Sequence, residues 1–120
     1  MKTIAFDLDD TLCTRTSEEG AVEKYHTCQP INPMIDIVNE LYEEGHQIII
    51  YTARGMTSFQ GDVKRINQEL RSLTIKQLKE WGINFHKLIM GKAHYDLLVD
   101  DKVINSLRVT SINDIKEIIK

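Results

Sequence analysis

Apolar residues along the chain follow two spacings. Lys2–Leu8 (KTIAFDL) and Gln47–Tyr51 (QIIIY) are short runs, apolar on both faces, which predict buried strands of a parallel sheet. Lys87–Met90 (KLIM) and Tyr95–Val99 (YDLLV) predict strands three and four, with only Gly91, Lys92, Ala93 and His94 between them. Elsewhere the spacing is helical. Met34, Ile35, Val38, Leu41 and Tyr42 form a stripe opened by Asn32 as cap and Pro33 at the first helical position, and closed by Gly45. Val63, Ile66, Leu70, Leu73, Leu78 and Trp81 form a second stripe before Gly82, as one helix or as two broken near Leu70–Thr74. Ser111, with Asp114 three positions later, opens a last helix with Ile112, Ile115, Ile118 and Ile119 on one face. Residues 12–30 keep no period and predict a loop or flap.

Strands alternating with helices predict an α/β fold: a Rossmann-like, three-layer α/β/α arrangement around a mostly parallel sheet covered on both faces. With 120 residues and no repeat or linker, residues 1–120 make a single domain. A composition of 42% hydrophobic and 28% charged residues excludes a disordered chain. A net charge of −3 and the lack of an aromatic-basic stripe argue against a nucleic-acid partner. No apolar run approaches the ~20 residues of a membrane span. Residues 1–12 lack the pattern of a secretory signal, so Cys13 and Cys28 are expected as reduced thiols in a cytoplasmic protein.

Parallel sheets bind ligands beyond the carboxyl ends of their strands. The residues at those positions are Asp7, Asp9, Asp10 and Thr11 after strand one, and Thr52, Ala53 and Arg54 after strand two. Lys92 follows strand three, and Asp100 and Asp101 follow strand four. Clustered acids call for a hard divalent cation with oxygen ligands, Mg²⁺. Lys92 as a point charge and Thr52 as a hydroxyl donor suit an anion beside it. Acids with a metal on one side, and Lys with Thr on the other, frame a phosphoryl-transfer site whose candidate nucleophile is a carboxylate.

Asp7-Leu8-Asp9-Asp10-Thr11 resembles the first motif (DxDxT) of the haloacid dehalogenase-like superfamily. Thr52, Lys92 and Asp100-Asp101 are similar to its second, third and fourth motifs, in the same order. The resemblance implies that core fold without a cap domain, since neither residues 12–30 nor 93–99 have room for one. It implies Asp7 as nucleophile and Asp9 as the acid and base. Mg²⁺ would be held by the Asp7 carboxylate, the Asp9 carbonyl and the Asp100 carboxylate, with Asp101 a direct or water-bridged partner. Thr52, Lys92 and main-chain N–H groups at Leu8 and Ala53 would bind the phosphoryl oxygens. The segments YTARGMTSFQGDVKRIN and LIMGKAHYDLLVDDKVI resemble small bacterial phosphatases of capsular or surface polysaccharide biosynthesis, with Gly55 and Ala93 where those carry Asn and Pro.

The implied activity is hydrolysis of a small phosphorylated sugar or related alcohol. A capless site would admit large substrates or be roofed by a neighbouring subunit in a homo-oligomer, with Tyr25, His26 and Arg54 reaching the substrate. Arg54 has a second reading, as the partner of a nearby carboxylate. Two competing functions are a 3′-phosphatase for nucleic-acid ends, disfavoured by the charge, and a receiver domain that stores an aspartyl phosphate. A receiver's acceptor follows the third strand, where this chain offers Gly91-Lys92 and no acid.

Overall fold

The computed structural model describes all 120 residues. The chain runs β1 (Thr3–Phe6), β2 (Cys13–Thr14), α1 (Glu23–His26), β3 (Gln29–Pro30), α2 (Asn32–Glu43), β4 (Gln47–Thr52), α3 (Val63–Glu80), β5 (Lys87–Met90), a 3₁₀ turn (Ser106–Arg108) and α4 (Ile112–Ile119). The α/β class is as expected. The main sheet has three parallel strands in the order β1-β4-β5, with Phe6 beside Ile50 and Ile50 beside Leu88. No helix is long and apolar enough to cross a membrane.

Alternate residues of the three strands share a face. Phe6, Ile48, Ile50, Thr52, Leu88 and Met90 are buried on one side. Right-handed crossovers between neighbouring strands place α2 and α3 on that same side. The other side carries Thr3, Ala5, Tyr51, Lys87 and Ile89, all exposed, so the expected cover on both faces is not there. A second correction concerns Tyr95–Val99, which form no strand. A parallel strand needs a crossover of about a dozen residues or more, and only Gly91–His94 separate this segment from β5.

Residues 12–30 are more than a loop. β2 and β3 pair antiparallel around the single-turn α1, and Leu12, Cys13, Tyr25 and Cys28 from this segment join the core. Their spacing has no period because tertiary contacts bury them, and not one face of a helix or strand; Arg54 is among the contacts shared by Cys13, Tyr25 and Cys28. α2 starts one residue earlier than expected, with Ile31 in the cap position. α3 is one helix of 18 residues, N-capped by Asp62, whose carboxylate accepts from the Arg65 N–H. α4 is opened by Asp114, which accepts from the Thr110 and Ser111 N–H groups at 2.8 and 3.1 Å.

Gly55 fixes the turn after β4. Its φ is +78°, and a Cβ there would lie 2.7 Å from Leu70 Cδ1. Gly45 also has positive φ, at +93°, but a Cβ there would meet nothing within 4 Å. Both Gly→Ala changes carry the left-handed penalty of about 1–2 kcal/mol, and only Gly55→Ala adds a core clash. Urea unfolding is therefore expected to show the larger midpoint loss for Gly55→Ala. Equal losses would contradict the packing described.

Candidate functional site

Asp7, Thr52 and Lys92 each lie at or just past the carboxyl end of a strand, and all three line one cavity of about 370 Å³. The Lys92 N–H donates to the Thr52 carbonyl at 3.0 Å, carrying the β4–β5 pairing two residues past the strand. Gly91, with φ +95°, bends the chain there in a space already bordered by the Val63 side chain. The Lys92 ammonium then lies 3.6 Å from the Asp7 carboxylate and 5.8 Å from the centre of the Tyr51 ring. Burial pushes the Asp7 carboxyl above its ordinary range; Lys92 and the Leu8 N–H oppose this without cancelling it.

The turn after Asp7 is tight. The Leu8 carbonyl accepts from the N–H groups of Thr11, Leu12 and Cys13, and Asp10 takes a left-handed conformation with φ +67°, which Asp tolerates better than most residues. Asp9 faces a different partner from Asp7. Arg54 Nε donates to Asp9 Oδ2 at 3.0 Å and its NH2 group to Oδ1 at 3.1 Å. This pair is buried on the arginine side, whose side chain has no exposed surface, while 15% of the Asp9 side chain is exposed. Arg54 NH1 donates to Thr74 Oγ1 and Gln77 Oε1, both on α3, at 3.1 and 2.6 Å. The Tyr25 ring stacks 4.8 Å from the guanidinium carbon. Every branch of the guanidinium is thus used inside the protein.

These contacts bear on the three residues expected at the substrate, of which Tyr25 and Arg54 border the cavity. Arg54 has no surface to offer a substrate, and its reading as a carboxylate partner is the one realised. The Tyr25 hydroxyl accepts from the Gly55 N–H at 3.1 Å, so this side chain fastens two loops although it borders the cavity. His26 is exposed and lies outside the cavity lining. Ala53 lines the cavity, and Leu8 is wholly buried beneath it.

Asp100 and Asp101 do not reach the cavity. Both are exposed, and Asp100 accepts from the Lys102 N–H at 3.2 Å in a short turn. That hydrogen bond, then the neighbouring Asp101, holds the Asp100 carboxyl below its usual range. With Asp100 and Asp101 elsewhere and both Asp9 oxygens on Arg54, one chain presents only the Asp7 and Asp10 carboxylates. The expected ligand set is therefore not assembled within one chain, although Mg²⁺ as such needs only one or two carboxylates completed by waters and a substrate phosphate. A second cluster joins Asp9, Cys13 and Cys28, whose donor atoms lie within 4.8 Å of one another. Arg54 NH2 lies 3.8 and 3.7 Å from the two sulfurs, so a cation already sits among them. Burial, and after it the neighbouring Asp9, pushes both thiols above the ordinary thiol range.

Sequence reasoning missed Arg15 and Lys24, which bring two cations from the flap to the cavity wall. Arg15 Nε is buried without a hydrogen-bond partner. Thr74 and Gln77 carried the signal for the Arg54 pocket: they are polar residues set into the apolar stripe of Leu70 and Leu78, at spacings that share a helix face.

No family model matches the chain, and none of the curated proteins does. Among solved structures it is similar to the crystal structure of an MCSG target from Vibrio cholerae, with 24% identity, a TM-score of 0.84, and coverage of 98% of this chain and 96% of that one. The likeness is one of fold.

Replacing Arg54 by Ala would strand a buried carboxylate and is expected to cost about 3–5 kcal/mol. Arg54→Lys keeps the charge but loses the forked pairing, so it should fall between the two. Urea titration of the three proteins checks the order. Asp7 gives a test of opposite sign. Its raised folded-state pKa means that ionising it works against the fold, so Asp7→Asn should raise the melting temperature at neutral pH. The gain should shrink as pH falls through the carboxylate range, where wild-type Asp7 is protonated too. A lower melting temperature at pH 7 would contradict this balance.

Proposed function

We propose that the protein is a phosphomonoesterase of the haloacid dehalogenase-like type. Its substrate would be a small phosphorylated sugar or related alcohol, of the kind used in capsular or surface polysaccharide synthesis. One observation carries the reading: the Asp7 carboxylate and the Lys92 ammonium meet 3.6 Å apart at the cavity, with Thr52 beside them. An attacking carboxylate next to a fixed cation matches the charge that develops on a phosphoryl group in transfer. Arg15 and Lys24 add positive charge to the wall, and the unpartnered Arg15 Nε suits an anionic ligand.

Two displacements complete the reaction. An Asp7 oxygen attacks phosphorus, the bond from phosphorus to the ester oxygen breaks, and the alcohol leaves with a proton from Asp9. Water then attacks the aspartyl phosphate and returns a proton to Asp9. The bond to Asp7 breaks, releasing inorganic phosphate and the original carboxylate. Arg54 holds Asp9 in place during both steps; Oδ1 also accepts from the Cys13 and Cys28 thiols, while Oδ2, whose one partner is Arg54 Nε, keeps a second lone pair for the proton. Lys92, Thr52 and the N–H groups of Leu8 and Ala53 would receive the phosphoryl oxygens.

Turnover of p-nitrophenyl phosphate and a panel of sugar phosphates tests this. Asp7→Asn should lose at least about a thousandfold in kcat, the scale on which a nucleophile matters. Lys92→Ala should lose about 10²–10³-fold. Activity of Asp7→Asn within a few-fold of wild type would refute the nucleophile. A single stoichiometric burst of phosphorylation without turnover would identify a phospho-acceptor domain instead.

A further inference from the structure

The main chain of residues 93–104 makes no hydrogen bond to any other main-chain group. Within it Leu97 and Val99 are 78% and 88% exposed, and Val103 is exposed as well. Residues 97–99 of this segment are apolar, exposed and unpaired. The same chain has an unpaired acceptor for it. β1 pairs only with β4, which leaves its outer edge open, and no side chain donates to its backbone. β5, the other edge strand, already receives Arg71 at its Leu88 carbonyl, 3.2 Å away. Open edges of this kind take up further strands.

The segment cannot reach the edge of its own β1. Gly91–His94 span at most about 14 Å. A parallel strand beyond β1 would begin about 14 Å across the sheet and a further ~13 Å back along it. The chain does not double back on β5 either, because the Lys92 N–H continues the β4 pairing. A second copy of the protein is under no such restriction.

We propose that two copies exchange this segment: residues 96–99 of each pair in parallel with β1 of the other. A two-fold exchange satisfies both open edges at once and closes the assembly. A register that sets Val99 beside Phe6 puts Leu97 and Val99 on the apolar face with Ile4 and Phe6. It also carries Asp100 and Asp101 to the rim where Asp7 stands. The two acids missing from the cavity of one chain would then arrive from its neighbour, giving oxygen donors for a divalent cation. This last part rests on the phosphatase reading; the strand exchange does not.

Sedimentation velocity on the full chain tests the exchange without reference to turnover. The wild type should be a dimer. Val99→Pro, which removes the N–H that a ladder needs, and Val99→Lys, which puts a charge on the apolar face, should both be monomers with unchanged far-UV circular dichroism. A monomeric wild type, or a dimer that survives both substitutions, would overturn the proposal. Shared sites are tested by co-expressing Asp7→Asn and Asp100→Asn chains under different tags. The purified heterodimer holds one intact site of two, so it should recover about half of the wild-type activity from two inactive parents. A heterodimer as inactive as its parents would overturn delivery of Asp100 between chains. Mg²⁺ titrated calorimetrically should bind the wild type and not Val99→Pro; equal binding would count against it in the same way.

Discussion

A guanidinium with no exposed surface must find protein partners for its donors or destabilise the fold by several kcal/mol. Arg54, itself just after β4, finds them on three separate parts of the chain: Asp9 after β1, the Tyr25 ring of α1, and Thr74 and Gln77 on α3. Gln77 passes the connection on by donating to the Tyr25 carbonyl at 2.6 Å. The flap, the turn after Asp7 and the longest helix are therefore held through one side chain. Asp7 and Lys92 stand on this frame, and the cavity between them has its shape because the frame is fixed.

The parts of the fold that were legible in the sequence are those set by local pattern. β1, β4 and β5 are apolar runs, and α2, α3 and α4 announce themselves through stripes and capping residues. Strand position alone sufficed to bring Asp7, Thr52 and Lys92 to one rim, because a parallel sheet presents the carboxyl ends of all its strands on one side. Tyr95–Val99 misled for the opposite reason. Their pattern is that of a strand, but a strand also needs a connection long enough to reach its place, and four residues do not provide one. Asp100 and Asp101 followed that segment away from the site.

The flap and the Arg54 pocket were hidden for another reason. Leu12, Cys13, Tyr25 and Cys28 are buried by contacts far apart in sequence, so no period marks them. The direction of the Arg54 side chain depends on Thr74 and Gln77, 20 and 23 positions away. What the sequence did show was a place where two polar residues interrupt an apolar stripe, and such a gap in a buried face calls for a polar partner.

Proteases cleave where a stretch of chain is free of helix and ladder hydrogen bonds, and residues 93–104 make none between main-chain groups. An isolated chain is thus open to cleavage at this one stretch while the rest of it stays folded. Seated against a strand, the same peptide bonds would be shielded. How long a chain survives after synthesis would then depend on how soon it meets another, so that abundance itself helps to decide which molecules persist.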